Sequence, residues 1–208
     1  MTQEQEVLSF EIFTEGGDSL SFTQIESAEA GLILNEFKST RVFAHPALML
    51  GSRFSLTNVQ THFIDLIRVR SANVAGLFPR GNLLDIVELS REVLAQELGQ
   101  MSPEALDALK LAPEGGELWT YVQLQTVGGH QVCLKLKLVK ESPQEQRMLV
   151  AHIFQLPVIP FRIECEGFGL VNPSRVVWIS TFPGPENVPD RAFPVSSTPF
   201  EASPGAVS

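Results

Sequence analysis

Two glycine pairs, each set between alternating apolar runs, constrain this chain more than any other feature. In SFEIFTEGGDSLSF, Phe10 and Ile12 fall on one face, Gly16-Gly17 interrupts, and Leu20 and Phe22 alternate again. In YVQLQTVGGHQVCLKLKLV, Val122 and Leu124 alternate before Gly128-Gly129, and Val132, Leu134, Leu136 and Leu138 alternate after it. Period-two alternation on both sides of a Gly-Gly step predicts a β-hairpin. A two-residue hairpin turn needs positive φ, and glycine adopts it without a steric penalty. Both turns read Thr-x-Gly-Gly, at Thr14 and Thr126.

A second echo follows each hairpin. Phe54, Leu56 and Asn58 in FSLTNVQTHFIDLI recur as Phe168, Leu170 and Asn172 in FGLVNPSRVVWI, and an apolar run follows both. Between hairpin and echo lie LILNEF and RVFAHPALML in the first half, and RMLVAHIF and PVIPFRI in the second. Each half therefore reads as hairpin, apolar strands, Asn-containing turn and apolar strand. Asn172-Pro173-Ser174 is turn chemistry, and Asn58 is expected to act in the same way. Two explanations stand side by side: internal duplication, and the shared grammar of any β protein.

Between the halves the period changes. In GNLLDIVELSREVLAQELG, Leu83, Ile86, Val87, Ser90, Leu94 and Leu98 fall at helical spacing, with Asn82 placed to cap the start and Gly99 to end it. SPEALDALKL follows, with Ser102 as N-cap and Pro103 at the first helical position. This predicts a helical hairpin. The last stretch carries proline at 183, 185, 189, 194, 199 and 204, which opposes helix and ladder alike. The expected fold class is α+β, mostly β. Residues 1–81 form a first β-rich unit, 82–113 a helical connector, 114–182 a second, similar unit, and 183–208 an extended or disordered tail.

At 44% hydrophobic, 208 residues suffice for a real core, and fourteen Phe against one Tyr and two Trp favour dry packing. The longest apolar stretch, Met148 to Phe161, is too short and too interrupted to span a bilayer. The N-terminal stretch shows no signal-peptide pattern. Cys133 and Cys165 lack metal-type spacing and read as buried reduced thiols. A soluble cytoplasmic protein that does not engage membranes is the expectation.

Catalytic and cofactor signatures do not emerge. There is no HExxH, CxxC, GxSxG, GxxxxGK[ST] or GxGxxG. His45, His62, His130 and His152 are far apart, so no metal and no cofactor are expected. The net charge is −9, and it is segregated: residues 1–30 hold seven acids and no base, whereas 31–81 hold six bases and two acids. Arginine supplies five of those six bases. Arg53, Arg68, Arg70 and Arg80 are the candidate ligand-binding residues, with Arg41 nearby. Arg68 and Arg70, two apart, share one face of a strand, and guanidinium suits phosphate or carboxylate. Lys135 and Lys137 share the outer face of another strand, where charge guards an edge. Phe193 and Phe200 are candidate anchors by which the tail meets a partner.

Three functions follow. The first is a non-catalytic binding or assembly protein working through protein contacts, as a homo-oligomer or with another protein. The second is binding of nucleic acid or another anion on the Arg face, with nucleic acid disfavoured by a pI near 4.9. The third is an enzyme with a site between the units, using His45 or His152.

Overall fold

In a computed structural model, the described residues are 8–24, 27–38, 41–51, 55–71, 83–102, 104–105, 113, 115–139, 155–164 and 167–184. Residues 185–208 of the expected tail, with Phe193 and Phe200, lie outside them, as do Arg53, Arg80, His152 and Cys165. The chain is mostly β. Its strands are β1 (Leu8–Thr14), β2 (Ser19–Gln24), β3 (Ala47–Gly51), β4 (Leu56–Gln60), β5 (Ile64–Arg70), β6 (Leu83–Leu89), β7 (Glu117–Thr126), β8 (Gln131–Val139), β9 (Ile159–Ile163), β10 (Gly167–Val171) and β11 (Val176–Phe182). Helix α1 (Ser27–Lys38) follows β2, and α2 (Arg91–Gly99) follows β6. Nine strands form one sheet in the order β11-β7-β8-β6-β9-β10-β5-β1-β2, and β3 pairs with β4 apart from it. No helix among the described residues is long and apolar enough to cross a membrane.

Both expected hairpins form, but each loop has four residues rather than two. Only the second glycine, Gly17 or Gly129, takes positive φ. The two hairpins repeat the same bonds 112 positions apart. Thr14 N–H donates to Asp18 O and Gly17 N–H to Thr14 O, each at 3.0 Å. Thr126 N–H donates to His130 O and Gly129 N–H to Thr126 O, each at 3.0 Å. Glu15 N–H reaches Phe63 O at 3.1 Å, and Val127 N–H reaches Arg175 O at 2.9 Å.

The third strand of each trio keeps the same displacement. Ile12, Phe13 and Thr14 face Ile67, Leu66 and Ile64; Leu124, Gln125 and Thr126 face Ile179, Trp178 and Val176. Each register therefore skips one residue, Asp65 in β5 and Val177 in β11, as a β-bulge does. A short 3-10 turn enters each strand, Thr61–Phe63 before β5 and Pro173–Arg175 before β11. The counterpart of Asn172 at this displacement is Gln60. Asn58 is not a turn residue: it lies inside β4 opposite Met49.

Two further segments differ from the sequence expectation. LILNEF is helical rather than extended, because Ala30, Leu34 and Phe37 bury one stripe at i, i+4 and i+7. Residues 83–89, expected in a helix, form β6, antiparallel to β8 and touching β9 in parallel. Ile86 and Val87 are adjacent and both buried, as in a strand covered on both faces. The helix starts only at Ser90, whose hydroxyl accepts from Val93 N–H at 3.2 Å. It ends through Gln100 in right-handed geometry, not through a left-handed Gly99. Ser102 accepts from Ala105 N–H at 3.1 Å, as an N-cap does, and the rest of that segment lies outside the described residues.

β5 separates the two main cores. Ile67 and Val69 join Leu8, Phe10, Ile12 and α1 on one face. Leu66 joins Ile86, Leu124, Leu134 and Phe161 on the other. A third cluster seats Leu94 and Leu98 of α2 on Tyr121 and Cys133.

Candidate functional site

Arg68 and Arg70 emerge on the β5 face that carries Leu66, where the apolar core gives way to polar side chains. Registers across β5, β1 and β2 set out two rows: Arg68, Glu11 and Ser21, then Arg70, Ser9 and Thr23. On the other side of β5, Gly169 stands opposite Arg68 and Gly167 opposite Arg70. The Phe161 ring occupies the space a Cβ on Gly169 would need, so glycine lets the core end against Arg68.

These rows wall a groove of about 560 Å³, closed opposite by Glu88 of β6, the start of α2, Cys133 of β8 and Glu164 after β9. Arg68 forms an ion pair with Glu88 across the groove, and its guanidinium lies 5.4 Å from the Phe13 ring centroid. Its buried Nε has no hydrogen-bond partner among the described residues. Burial pushes the Glu88 carboxyl up, and Arg68 opposes that shift. Burial also raises the Cys133 thiol, so this cysteine is a weak nucleophile. Arg70 is exposed and has no ion-pair partner among the described residues. Of the four candidate arginines, the structure brings Arg68 and Arg70 together; Arg53 and Arg80 are outside the described residues.

A second polar cluster is a closed junction. Asp65, fully buried, accepts from Thr126 Oγ1 at 2.8 Å, Gly128 N–H at 2.7 Å and Arg175 Nε at 3.1 Å. Arg175 also reaches Glu15 at 2.7 Å. Asn172 donates to the Thr61 and Ile64 carbonyls at 3.3 and 3.0 Å. The bulge at Asp65 aims this carboxylate into the second hairpin's turn, where three donors meet it, two on Oδ2 and one on Oδ1. The cluster joins Glu15 and Asp65 to Thr126, Gly128 and Arg175.

The β8 lysines do not guard an edge, because β8 runs between β7 and β6. Lys135 lies 5.2 Å from the Trp119 centroid and bonds Glu97 at 2.7 Å; Lys137 bonds Glu117 at 2.5 Å. Their charge is already matched. His45 pairs with Glu36 at 3.2 Å on the surface, and His130 lies 3.3 Å from the Thr14 carbonyl. The described residues contain no metal-type cluster.

Sequence reasoning missed Glu88, because residues 83–89 read as helix. The signal was available in part: Ser90 followed by Arg91-Glu92 is a cap placed eight residues after Asn82, and β-branched Ile86-Val87 precedes it. The chain matches no protein-family model, no curated protein and no solved structure.

Proposed function

We propose that this chain is a non-catalytic binding protein that holds a small anionic group on the Arg68–Arg70 face of the groove. The observation that supports this reading is Arg70, a guanidinium unmatched among the described residues, on the same strand face as Arg68. Ser9 and Thr23 continue its row. Guanidinium binds phosphate or carboxylate through two parallel bonds, and neighbouring hydroxyls add donors. Glu11, Glu88 and Glu164 line the same groove. Those acids argue against a long polyanion such as nucleic acid and favour a compact ligand bound by Arg70.

The test is titration of the full chain with inorganic pyrophosphate by calorimetry at two salt concentrations. Binding that weakens with salt and falls at least about ten-fold in Arg70→Ala supports the proposal. Arg68→Ala is paired with Glu88→Gln, so that no buried carboxylate is stranded. Absence of binding, or equal binding by the variants, rejects the groove.

Self-association is the second reading. It is supported by β2 and β11, SLSFTQ and VVWISTF, which end the nine-stranded sheet among the described residues and carry no charge. Natural sheets guard exposed edges with lysine, proline or inward charge. The recurrence at 112 positions supports descent of the two halves from one duplicated unit. Phe193 and Phe200 keep their proposed role as partner anchors of the tail.

A further inference from the structure

We infer that the ligand of the groove is a zwitterion, a phosphate monoester that also carries an ammonium group, with the phosphate on Arg70 and the ammonium on Glu11. This rests on the anion-binding reading and names the class of the ligand. The charges of the groove do not all match. Arg68 and Glu88 pair with each other. Arg70 and Glu11 line the same groove, and neither side chain has a partner among the described residues. The register brings the two close. Ser9 faces Arg70 and Glu11 faces Arg68, so Arg70 and Glu11 are diagonal neighbours on adjacent strands, about 7–8 Å apart at the backbone. Side chains of this length can span such a gap, yet no ion pair closes it. One unmatched cation and one unmatched anion therefore face the same space.

A simple anion suits only half of this arrangement. Bound at Arg70, it sits one diagonal step from the Glu11 carboxylate and is repelled by it. A ligand that brings its own cation turns that repulsion into attraction, and both charges of the groove are then met. Glu164 also lines the groove, but β10 separates β9 from β5, whereas Glu11 is on the strand next to Arg70. Phosphate suits the Arg70 row better than carboxylate does. Ser9 and Thr23 continue that row across β1 and β2. Two hydroxyls beside a guanidinium can serve the three terminal oxygens of a phosphate monoester, and a carboxylate has only two. The groove, about 560 Å³, is of the size of small-molecule sites, about 300–1,000 Å³, and has room for more than the anionic group.

Calorimetric titration of the full chain with phosphoethanolamine, ethyl phosphate and β-alanine tests this. Phosphoethanolamine is expected to bind at least about ten-fold more tightly than ethyl phosphate, which has no ammonium group. Glu11→Gln is expected to abolish that difference by weakening phosphoethanolamine alone, and Glu164→Gln to preserve it. The thermal midpoint of Glu11→Gln is expected to match that of the wild type, because the side chain has no partner to lose, so a lost site is told apart from a lost fold. β-Alanine, with a carboxylate in place of the phosphate, is expected to bind more weakly than phosphoethanolamine. Ethyl phosphate bound as tightly as phosphoethanolamine, or a difference that survives in Glu11→Gln, overturns the zwitterion and leaves the anion-binding reading standing. Tighter binding of β-alanine overturns phosphate as the anionic group. If neither phosphate ester binds, this inference falls, and if pyrophosphate also fails to bind, the anion-binding reading falls with it.

Discussion

Asp65 Oδ2 accepts the hydroxyl of Thr126 at 2.8 Å, which ties the bulge of β5 to the turn of the second hairpin. The carboxylate is fully buried, and Arg175, only 16% exposed, is its cation. Removing one partner of a buried pair costs more than the pair contributes, because a charge is left in a poor solvent. Asp65→Ala is therefore expected to destabilise the fold by about 3–5 kcal/mol. Adding Arg175→Ala is expected to cost less than the sum of the single changes, since the stranded cation is gone. Urea denaturation of the two single variants and the double variant measures both statements.

The two hairpin turns share a sequence pattern but not an environment. A Cβ on Gly128 would strike Asp65 Oδ2 and come within 2.7 Å of the Thr14 carbonyl. A Cβ on Gly16 finds nothing nearer than Asp18 Oδ2 at 3.5 Å. Gly128→Ala is expected to cost about 2–4 kcal/mol and Gly16→Ala less than about 1 kcal/mol. Denaturation midpoints of the two variants check the asymmetry. Equal costs would mean that the junction yields to accommodate a methyl group.

That asymmetry marks the limit of what the sequence discloses. Hairpins were legible because alternation and glycine act locally, within about ten residues. Their likeness was legible too, although the Asn58 echo was two positions out of register. α1 was not, because Leu32, Ile33 and Leu34 run together like a strand, and Leu32 is in fact 71% exposed. β6 was not, because Leu83, Ile86 and Val87 fit a helical stripe equally well. Its place between β8 and β9 decided the matter, and that is a tertiary fact. The groove was half legible. Strand spacing put Arg68 and Arg70 on one face, but nothing local joins Arg68 to Glu88, twenty positions away. Asp65 carries no local sign that it is buried.

Helix α2 depends on its first turn. Ser90 caps it, and Leu94 and Leu98 hold it to Tyr121 and Cys133. Ser90→Ala is expected to cost about 1 kcal/mol. The loss is local, so amides of residues 93–98 should exchange faster while those of β5 are unchanged. Hydrogen exchange with mass spectrometry resolves the two regions.

Glu97 links that helix to the sheet. Burial disfavours its charge, but bonds from Lys135 and Tyr121 outweigh burial and hold the carboxyl below its ordinary 4.5. On acidification the unfolded chain therefore takes up this proton before the folded one. The stabilisation is complete above the ordinary glutamate range and is lost as pH falls through the lowered folded value. Thermal midpoints measured from pH 7 to pH 3 should fall less steeply in Glu97→Gln than in the wild type. The effect is modest, because the side chain keeps 30% of its exposure.

Tyr121, the one tyrosine of the chain, makes the alkaline limb readable without a label. Burial, then the bond and charge of Glu97, push its phenol well above the ordinary 10.0. Its hydroxyl donates to Glu97 Oε2 at 2.6 Å, so ionisation would set a buried phenolate against a carboxylate. Above pH 10 the unfolded chain releases this proton while the folded chain retains it, and stability falls as pH rises. The phenolate absorbance band is therefore expected to be absent from the native protein at pH 10 and to appear only as the fold is lost. In Glu97→Gln the carboxylate charge is gone, and the band should appear at lower pH, before unfolding. A native band titrating near pH 10 would place Tyr121 in water and separate α2 from the sheet at this point.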